Sequence, residues 1–280
     1  MKEKVSKCVV KMFTLLALLA VFANATQPVV AAVNDLPVSC WSFDETVGNA
    51  IDAIGANTLQ NQNSMPYTAG KVGGAADIDD HNSVTEAQYL SIDDTAQQGL
   101  QMTDAISGSV WINYDESMDN KYSMIFSKFD DTNYTSNDIS YAVAFNGANH
   151  QLQFWASRDG DTNSDIQPSI APVAVWAFNP VPGVWYHIAV TYKAGNVHLY
   201  IDTKEQKIIY NYTDISIHQS AAPFTVGYTS VIREAHQKVD ELGIWNRVLT
   251  KNEVKKLYNN GNGISCQTLK SIVQIDRTGA

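Results

Sequence analysis

The segment from Gly183 to Asp202 constrains the fold more than any other part of the chain. Two alternating runs, Tyr186–Tyr192 and Val197–Ile201, are separated by the turn Ala194-Gly195-Asn196. Alternation places every second side chain on one face of a strand, and a short turn with glycine joins antiparallel neighbours. The segment therefore predicts a β-hairpin.

Similar short runs recur along the chain and are separated by polar turns such as Asn146-Gly147 and Asp159-Gly160. Many short strands with almost no helical periodicity predict an all-β fold, a two-sheet antiparallel sandwich. No low-complexity linker divides the patterned region, which predicts one domain over residues 40–266. Residues 26–39 are a connector in this division, and residues 267–280 are a flexible tail.

One short helix is predicted near the C-terminus. Thr250 and Glu253 have the spacing of a capping box, and Leu249 and Val254 have that of a hydrophobic staple. Gly261 is a suitable stop. The pattern predicts a helix of about ten residues that packs against the edge of the sandwich.

The first 25 residues have the features of a signal peptide. Four lysines precede the apolar run Met12–Ala23, and Ala23-Asn24-Ala25 fits the small-x-small cleavage pattern. An uncleaved N-terminal anchor is the alternative. No later stretch is long and apolar enough to span a membrane. We expect a protein that is secreted, either extracellular or periplasmic.

The charge of the chain excludes several kinds of partner. The full chain has 19 basic and 29 acidic residues, and removal of residues 1–25 takes away four lysines and one glutamate, which leaves 15 against 28, a net charge of −13. Such a surface repels polyanions, and the sequence has no basic stripe. Nucleic acid is therefore an unsuitable partner, whereas neutral glycans and metal-mediated ligands fit better.

Two cysteines remain after signal cleavage, because Cys8 lies in the signal segment. Cys40 and Cys266 flank the patterned region. In an exported protein this pair predicts a disulfide between the first strand and the last segment. Two unpaired buried thiols are the alternative.

Several segments together resemble the laminin-G-like, concanavalin A-like jelly-roll family. They are Trp41-Ser42-Phe43-Asp44-Glu45, Gly70-Lys71-Val72-Gly73-Gly74-Ala75, Trp185–Asp202 and Asp240–Thr250. The resemblance implies a two-sheet jelly roll with one short C-terminal helix. The family includes lectins, carbohydrate-binding modules, adhesion domains and some polysaccharide-cleaving enzymes, so the fold does not decide the function. One departure is Asp202-Thr203-Lys204, which stands where the family usually has Asp-Gly.

Catalytic patterns of related sandwich enzymes are missing from the sequence. It lacks the Glu-x-Asp-x-x-Glu strand that carries two glycosidase carboxylates on one face. Asp240 and Glu241 are adjacent, so on a regular strand they face opposite ways, with Asp240 structural and Glu241 solvated. His187 is expected to be a packed residue of the sandwich. We therefore expect no enzyme.

The resemblance also implies a calcium site, because members of the family hold calcium with acidic residues at the rim of the sandwich. The matching residues are Asp44, Asp52 and Asp240. Carboxylate oxygens are ligands that calcium prefers. The alternative is that each aspartate caps a turn or is solvated.

A sugar platform requires an exposed aromatic ring beside polar side chains. In the run Gln151–Trp155, Trp155 shares a face with Gln153, whereas Phe154 points the other way. The predicted carbohydrate-binding residues are Trp155, Gln153, Arg158 and Asp159. Ordinary packing of Trp155 within the sheet is the alternative.

The other tryptophans give no such signal. Trp111, Trp185 and Trp245 lie in strand motifs and are expected in the core, and Trp176 lies in a proline-bounded loop whose exposure the sequence leaves open. The sequence as a whole favours a non-catalytic carbohydrate-binding or adhesion domain that is calcium-dependent if the acidic site holds. The alternatives are a protein-interaction module on the same sandwich and a polysaccharide-cleaving enzyme.

Overall fold

Two antiparallel sheets face each other in the computed structural model, which describes residues 35–79, 87–114, 122–130, 138–160, 173–211, 216–228 and 236–278. The predicted all-β sandwich is therefore confirmed. The predicted signal peptide and the connector up to residue 34 lie outside the described residues.

The first sheet is built from eight strands. They are β1 (Ser39–Trp41), β3 (Tyr67–Ala69), β4 (Gly74–Asp79), β6 (Ala105–Tyr114), β11 (Tyr186–Lys193), β12 (Asn196–Ile201), β13 (Lys204–Glu205) and β16 (His236–Trp245). Their order is β13-β12-β11-β6-β16-β4-β3, and β1 pairs with β16. The predicted hairpin is the pair β11–β12.

The second sheet also has eight strands. They are β2 (Gln60–Gln62), β5 (Tyr89–Ile92), β7 (Tyr122–Phe129), β8 (Ile139–Asn146), β9 (Gln151–Ala156), β10 (Ala174–Ala177), β14 (Ile208–Asn211) and β15 (Phe224–Val226). Their order is β14-β10-β9-β8-β7-β15-β5-β2. Trp176 therefore lies in a strand and not in a loop.

Alternate side chains of both sheets form the core between them. Trp41 of β1 stacks on Phe224 of β15, with ring centroids 5.4 Å apart. Phe126 packs so closely against β6 that a Cβ on Gly108 would lie 2.4 Å from its ring. Interdigitation of this kind fixes the spacing of the two sheets, because a packed interior tolerates no extra atoms.

Helix α1 (Lys251–Tyr258) begins at the predicted capping box. The Thr250 hydroxyl accepts the Glu253 N–H, and the Glu253 carboxylate accepts the Thr250 N–H at 2.8 Å. The helix ends earlier than expected, because Asn259 takes a left-handed conformation and starts a 3₁₀ turn that runs to Gly261. The capping pattern is thus confirmed, and only the length of the helix differs.

The predicted flexible tail is wrong. Residues Cys266–Thr278 form a second helix, α2, and its side chains Leu269 and Val273 are buried. They pack with Trp245 of β16 and Leu257 of α1 on the outer face of the first sheet. The apolar spacing of Leu269 and Val273, one helical turn apart, was a signal for this helix in the sequence.

The predicted disulfide joins Cys40 of β1 to Cys266 at the start of α2, with the two Cα atoms 5.7 Å apart. The link closes 226 positions of chain. It holds α2 against the sheet on which β1 and β16 are paired.

No helix within the described residues combines the length and the apolar character that crossing a membrane requires.

The departure at Asp202-Thr203 has a backbone cost. Both residues connect β12 to β13 with positive φ, 48° for Asp202 and 72° for Thr203. A two-residue hairpin turn with positive φ at both positions favours Asp-Gly, because a β-branched residue is strained there.

Replacement of Thr203 by glycine is therefore expected to stabilise the protein by about 1 kcal/mol, or roughly 2–4 °C in the thermal midpoint. Calorimetry of Thr203→Gly and Thr203→Ala measures this. The alanine variant keeps a Cβ on the same backbone, so equal gains in both variants would contradict the explanation.

Candidate functional site

The predicted sugar platform does not have an exposed ring. Trp155 shares the outer face of the second sheet with Gln153, as expected, but only 9% of its surface is exposed. Its indole packs edge-on against Phe129, with centroids 6.1 Å apart. The expectation of an open indole face is wrong, because neighbouring side chains on that face enclose the ring.

The polar residues beside Trp155 are divided between the interior and the surface. Gln153 is buried, and its side-chain oxygen accepts a hydrogen bond from the Tyr122 hydroxyl. Arg158 and Asp159 are exposed at the end of β9. The four predicted residues therefore do not form one open surface.

Asp52 has a structural role in the first turn. One of its carboxylate oxygens accepts N–H groups of Cys40, Ile54 and Gly55 at 2.9–3.0 Å, and the other accepts the Asn57 N–H at 3.1 Å. Four backbone donors occupy this buried carboxylate. Asp52 therefore caps a turn, which was the alternative to calcium binding for this residue. The predicted set of three calcium ligands is incomplete without it.

Asp44 and Asp240 organise the loop Gly70–Gly74. The carboxylate of Asp44 accepts the Gly74 N–H at 2.6 Å, and that of Asp240 accepts the Val72 N–H at 2.8 Å. A Cβ on Gly70 would lie 2.7 Å from Asp240, and a Cβ on Gly73 would lie 2.2 Å from Asp44. The glycines of this motif allow the loop to approach the two carboxylates.

Glu241 is buried, whereas the sequence predicted a solvated side chain. The pairing of β16 with β6 shifts between Asp240 and Gly243, and Glu241 adopts a φ of 50° at this irregularity. The side chain is buried, and its carboxylate accepts the Cys266 N–H at 2.7 Å. The strict alternation that predicted a solvated glutamate fails wherever a bulge rotates the chain.

Burial and mutual repulsion perturb both adjacent carboxyl groups. Burial, and then the charge of Asp44, raises the pKa of Asp240 to about 7. Burial, and then the charge of Asp240, raises the pKa of Glu241 to about 9. One oxygen of each carboxyl group is buried without a hydrogen-bond partner in the part of the chain that the structure describes. Near pH 7 these pKa values leave Glu241 protonated and Asp240 close to its midpoint.

Asp44, Asp52 and Asp240 do not bring three ligand atoms together among the described residues. In the described ranges, the one group of three possible ligands with donor atoms within 4.8 Å of one another is Cys40, Glu241 and Cys266, and its two cysteines form the disulfide. Asp44 and Asp240 both accept N–H groups of the loop Gly70–Gly74. Two of the three predicted calcium ligands are therefore close to the same loop, and Asp52 is not one of them.

A serine–histidine pair also occurs, but it lies beneath the helices. The Ser109 hydroxyl and the His187 Nε2 are 2.8 Å apart, and both residues are almost fully buried. Burial lowers the pKa of His187 to about 3, so the imidazole is neutral. The two residues line a cavity of about 10 Å³, which is room for no more than a water molecule. His187 is packed, as the sequence predicted.

Trp111 and Trp245 are buried, although they lie on the outer face of the first sheet, where α1 and α2 cover them. Trp185, which was expected in the core, is only partly buried just before β11.

An open groove lies where the free edges of the two sheets meet. Its volume is about 250 Å³, and β12 and β13 form one side while β10 and β14 form the other. We call it the edge groove. Its lining residues are Trp176, Asn196, Val197, His198, Glu205, Gln206 and Ile208.

The polar groups of the edge groove come from the β12–β13 side. Asn196 is exposed at the start of β12, and the Nδ1 atom of His198 lies 2.7 Å from the Glu205 carboxylate. The Gln206 side-chain amide donates to the Lys204 carbonyl at 2.8 Å. Amide, imidazole and carboxylate groups therefore stand side by side at the surface.

The base of the edge groove is closed by the core. Trp176 is 1% exposed, and its pairing with Ile208 follows a register shift in β10. The indole Nε1 of Trp176 is buried, and no described residue provides it with a hydrogen-bond partner. The sequence missed this site because its residues come from strands that meet only in the folded sandwich. The signal it did contain was a tryptophan without an assigned role.

The family comparison agrees with the strand pattern. Residues 84–255, more than half of the chain, match the family model Laminin_G_3 of the concanavalin A-like lectin/glucanases superfamily. The chain belongs to this family. The resemblance predicted from the sequence is therefore confirmed. No curated protein sequence matches the chain.

Solved structures with the same fold include both binding domains and an enzyme. Domain 4 of AbnA, a GH43 extracellular arabinanase from Geobacillus stearothermophilus in complex with arabinotriose, is 18% identical with a TM-score of 0.51, over 79% of this chain and 97% of that one. The binding domain of botulinum neurotoxin serotype G is 15% identical with a TM-score of 0.57, over 79% of this chain and 50% of that one.

Trypanosoma rangeli sialidase in complex with 2,3-difluorosialic acid is 12% identical with a TM-score of 0.56, over 82% of this chain. The match covers 34% of that protein. This chain thus spans nearly all of the arabinanase domain, half of the toxin domain and a third of the sialidase. Identities this low show the fold that this laminin-G-like protein shares, and nothing more specific.

The raised carboxyl pKa values predict that stability falls as pH rises. The folded state keeps a proton on Asp240 up to about pH 7 and one on Glu241 up to about pH 9, whereas the unfolded state releases them near pH 3.8 and 4.5. The folded state therefore binds more protons, and the free energy of unfolding declines through this range. Glu241→Gln mimics the protonated side chain, so its thermal midpoint should fall by several degrees less between pH 5 and pH 9. Parallel profiles for the two proteins would show that Glu241 stays ionised in the folded state.

Calcium binding by Asp44 and Asp240 is still a prediction. Calcium at 100 times its dissociation constant is expected to raise the stability by about 2.7 kcal/mol, or roughly 5–11 °C in the midpoint. Melting with calcium and with chelator, on wild type and on Asp44→Asn, measures the effect. Asparagine still accepts the Gly74 N–H, so the variant tests the charge. A wild-type midpoint that chelator leaves unmoved would remove the site.

Proposed function

We propose that this laminin-G-like protein is a non-catalytic carbohydrate-binding domain and that the edge groove is its binding site. The observation that carries the proposal is the composition of that groove, in which exposed amide, imidazole and carboxylate side chains stand side by side along an open space of about 250 Å³. Saccharides present both C–H faces and hydroxyl groups. The hydroxyl groups of a saccharide require a few polar protein groups in fixed positions, and the edge groove provides such groups.

The groove has the rigidity that a binding site requires. Trp176 and Val197 are buried parts of the sandwich core, and Ile208 packs against that core. The turn that follows β12 is held by the Asp202 carboxylate, which accepts the His187 N–H at 3.0 Å. Side chains that are already fixed lose little conformational freedom when a ligand binds.

The positions of Ser109, His187 and Glu241 support a binding role over catalysis. Ser109 and His187 are enclosed beneath α1 and α2, and Glu241 accepts a backbone N–H of α2. A catalytic base must reach its substrate within hydrogen-bond distance. The carboxylate of Glu205 is exposed in the edge groove, but its nearest ionisable partner there is His198 and not a second carboxylate.

Export is part of the proposal. A disulfide between Cys40 and Cys266 suits an oxidising compartment, in agreement with the signal pattern of residues 1–25.

The arabinotriose-bound arabinanase domain supports a glycan as the partner. A further structural neighbour, botulinum neurotoxin type C, depends for its cell entry on interaction with two ganglioside molecules.

A glycan array probed with the wild-type protein is expected to give selective binding, with no release of reducing ends from the ligands. Asn196→Ala should then weaken binding about 5–10-fold, because one hydrogen bond to the ligand is lost. Asn262→Ala, which changes an exposed asparagine in the turn after α1, is the matched control and should bind as wild type.

A blank array together with a protein captured by the same surface would favour the protein-interaction alternative. Release of reducing ends would favour a polysaccharide-cleaving enzyme. Either result would overturn the proposed function.

A further inference from the structure

We propose that the thiol form of this protein binds one zinc ion between the first strand and helix α2, at a site formed by Cys40, Cys266 and Glu241. The ion and the disulfide are alternative occupants of the same place, because the sulfur atoms that bind the metal are the atoms that form the S–S bond. The site is separate from the edge groove, so this inference does not depend on the proposed function.

The fold brings three ligand atoms together from distant parts of the chain. In the described ranges, the sulfur atoms of Cys40 and Cys266 and a carboxylate oxygen of Glu241 lie within 4.8 Å of one another, and all three residues are buried. With Zn–S bonds of about 2.3 Å and Zn–O bonds of about 2.0–2.2 Å, neighbouring ligands of a tetrahedral zinc ion are roughly 3.5–4 Å apart. Small side-chain rotations therefore suffice to form the site once the S–S bond is open.

Contacts other than the disulfide hold the backbone of each ligand residue. Cys40 lies in β1, which is paired with β16, and its N–H donates to the Asp52 carboxylate at 3.0 Å. The Cys266 N–H donates to the Glu241 carboxylate at 2.7 Å, and Leu269 of the same helix is buried against the sheet. None of these contacts requires the S–S bond, so the ligands remain neighbours after it is opened.

The carboxyl group of Glu241 has one oxygen available for a metal. Its Oε2 atom accepts the Cys266 N–H, whereas its Oε1 atom is buried and no described residue provides it with a hydrogen-bond donor. A buried oxygen without a donor is costly unless a proton, a water molecule or a cation satisfies it. Carboxylates that bind metals are themselves hydrogen-bonded, which orients them toward the ion. Glu241 has this arrangement.

A small cavity beside the three ligands provides a fourth position. Cys40, Glu241 and His187 are among the residues that line it, and its volume of about 10 Å³ is close to that of one water molecule. The Nδ1 atom of His187 is buried and has no hydrogen-bond partner among the described residues. A zinc-bound water in this cavity can therefore use His187 as its partner. Three protein ligands and one water complete a four-coordinate zinc site.

The types of ligand select zinc over calcium. Thiolates bind zinc and softer metals, whereas calcium takes oxygen ligands, six to eight of them. The proposed zinc site is therefore distinct in chemistry from the calcium site predicted at Asp44 and Asp240.

The zinc-binding state requires two thiols, the form in which cysteines are synthesised before oxidation. On the purified protein a phosphine restores this form. The phosphorus atom gives two electrons to the S–S bond and takes the oxygen of one water molecule, whose two protons complete the two thiols. Zinc then displaces both thiol protons and the carboxyl proton of Glu241 to solvent, and two Zn–S bonds and one Zn–O bond form.

Metal titration of the reduced and the oxidised protein tests the site. Calorimetry is expected to show one zinc ion bound per chain in the phosphine-reduced protein and no such site in the oxidised protein. Cobalt(II) serves as a spectroscopic probe, because a thiolate-to-cobalt absorption band appears only when sulfur binds the metal directly. We expect this band in the reduced wild type and its loss in Cys40→Ser.

A carboxylate-to-amide substitution separates a built site from two thiols that bind metal by themselves. Glu241→Gln keeps both cysteines, and its side-chain oxygen still accepts the Cys266 N–H. Zinc binding should weaken at least about 10-fold, because loss of a ligand costs no less than loss of a group that orients one. Asp104→Asn is the matched control, since Asp104 is exposed and pairs with Lys193, and it should bind zinc as the wild type does.

Folding provides a second measurement. Zinc at 100 times its dissociation constant is expected to raise the thermal midpoint of the reduced protein by roughly 5–11 °C and to leave that of the oxidised protein unchanged. If the reduced chain does not fold without metal, zinc should restore its β-sheet circular dichroism.

Three results would overturn the zinc site. They are a folded, reduced protein that binds no zinc, a reduced chain that stays unfolded in the presence of zinc, and equal zinc affinities of the reduced wild type and Glu241→Gln. Glycan binding by the oxidised protein is measured separately, so none of these results would bear on the proposed function.

Discussion

The pairing of β1 with β16 brings the two ends of the sandwich together, and much of the remaining structure depends on it. Ser39 lies opposite Ile244, and Cys40 lies opposite Gly243. From this pairing the disulfide to Cys266 anchors α2 on the outer face of the first sheet. A loop of 226 positions closed in this way stabilises the fold by roughly 5 kcal/mol through the unfolded state. Helix α2, which helps to cover Ser109 and His187, is therefore held by a link to the first strand.

The irregularity in β16 places acidic groups where they organise the backbone. Asp240 and Glu241 would face opposite ways on a regular strand, but the shifted pairing lets one hold the loop Gly70–Gly74 and the other hold the start of α2. Their burial raises both pKa values, so the same residues that organise the backbone make stability depend on pH. The residues that most resemble a catalytic or metal-binding pair have structural partners.

The proposed binding site lies away from these carboxylates, at the edge of the first sheet that β12 and β13 form. Edge strands expose side chains and backbone that interior strands do not, and here β12–β13 and β10–β14 meet at the same place. The base of the groove is closed by Trp176, a side chain that also belongs to the core. A ligand site built on core residues is fixed before the ligand arrives, and variation at Asn196 or Gln206 can change specificity without loss of the fold.

The sequence by itself determined the strand pattern, the capping box at Thr250 and Glu253 and the disulfide, because each depends on local spacing or on a unique pair of residues. It also predicted which side chains of β9 share a face, since alternation is a property of the backbone. Only the tertiary structure decided which outward faces are open. Trp155 is enclosed, the tail after Cys266 is a packed helix and Asp52 is occupied by four N–H groups. Exposure and convergence depend on residues that are distant in the chain. Trp176 and His198 illustrate the reason, because strand pairing and sheet packing, and not their spacing, bring them to one groove.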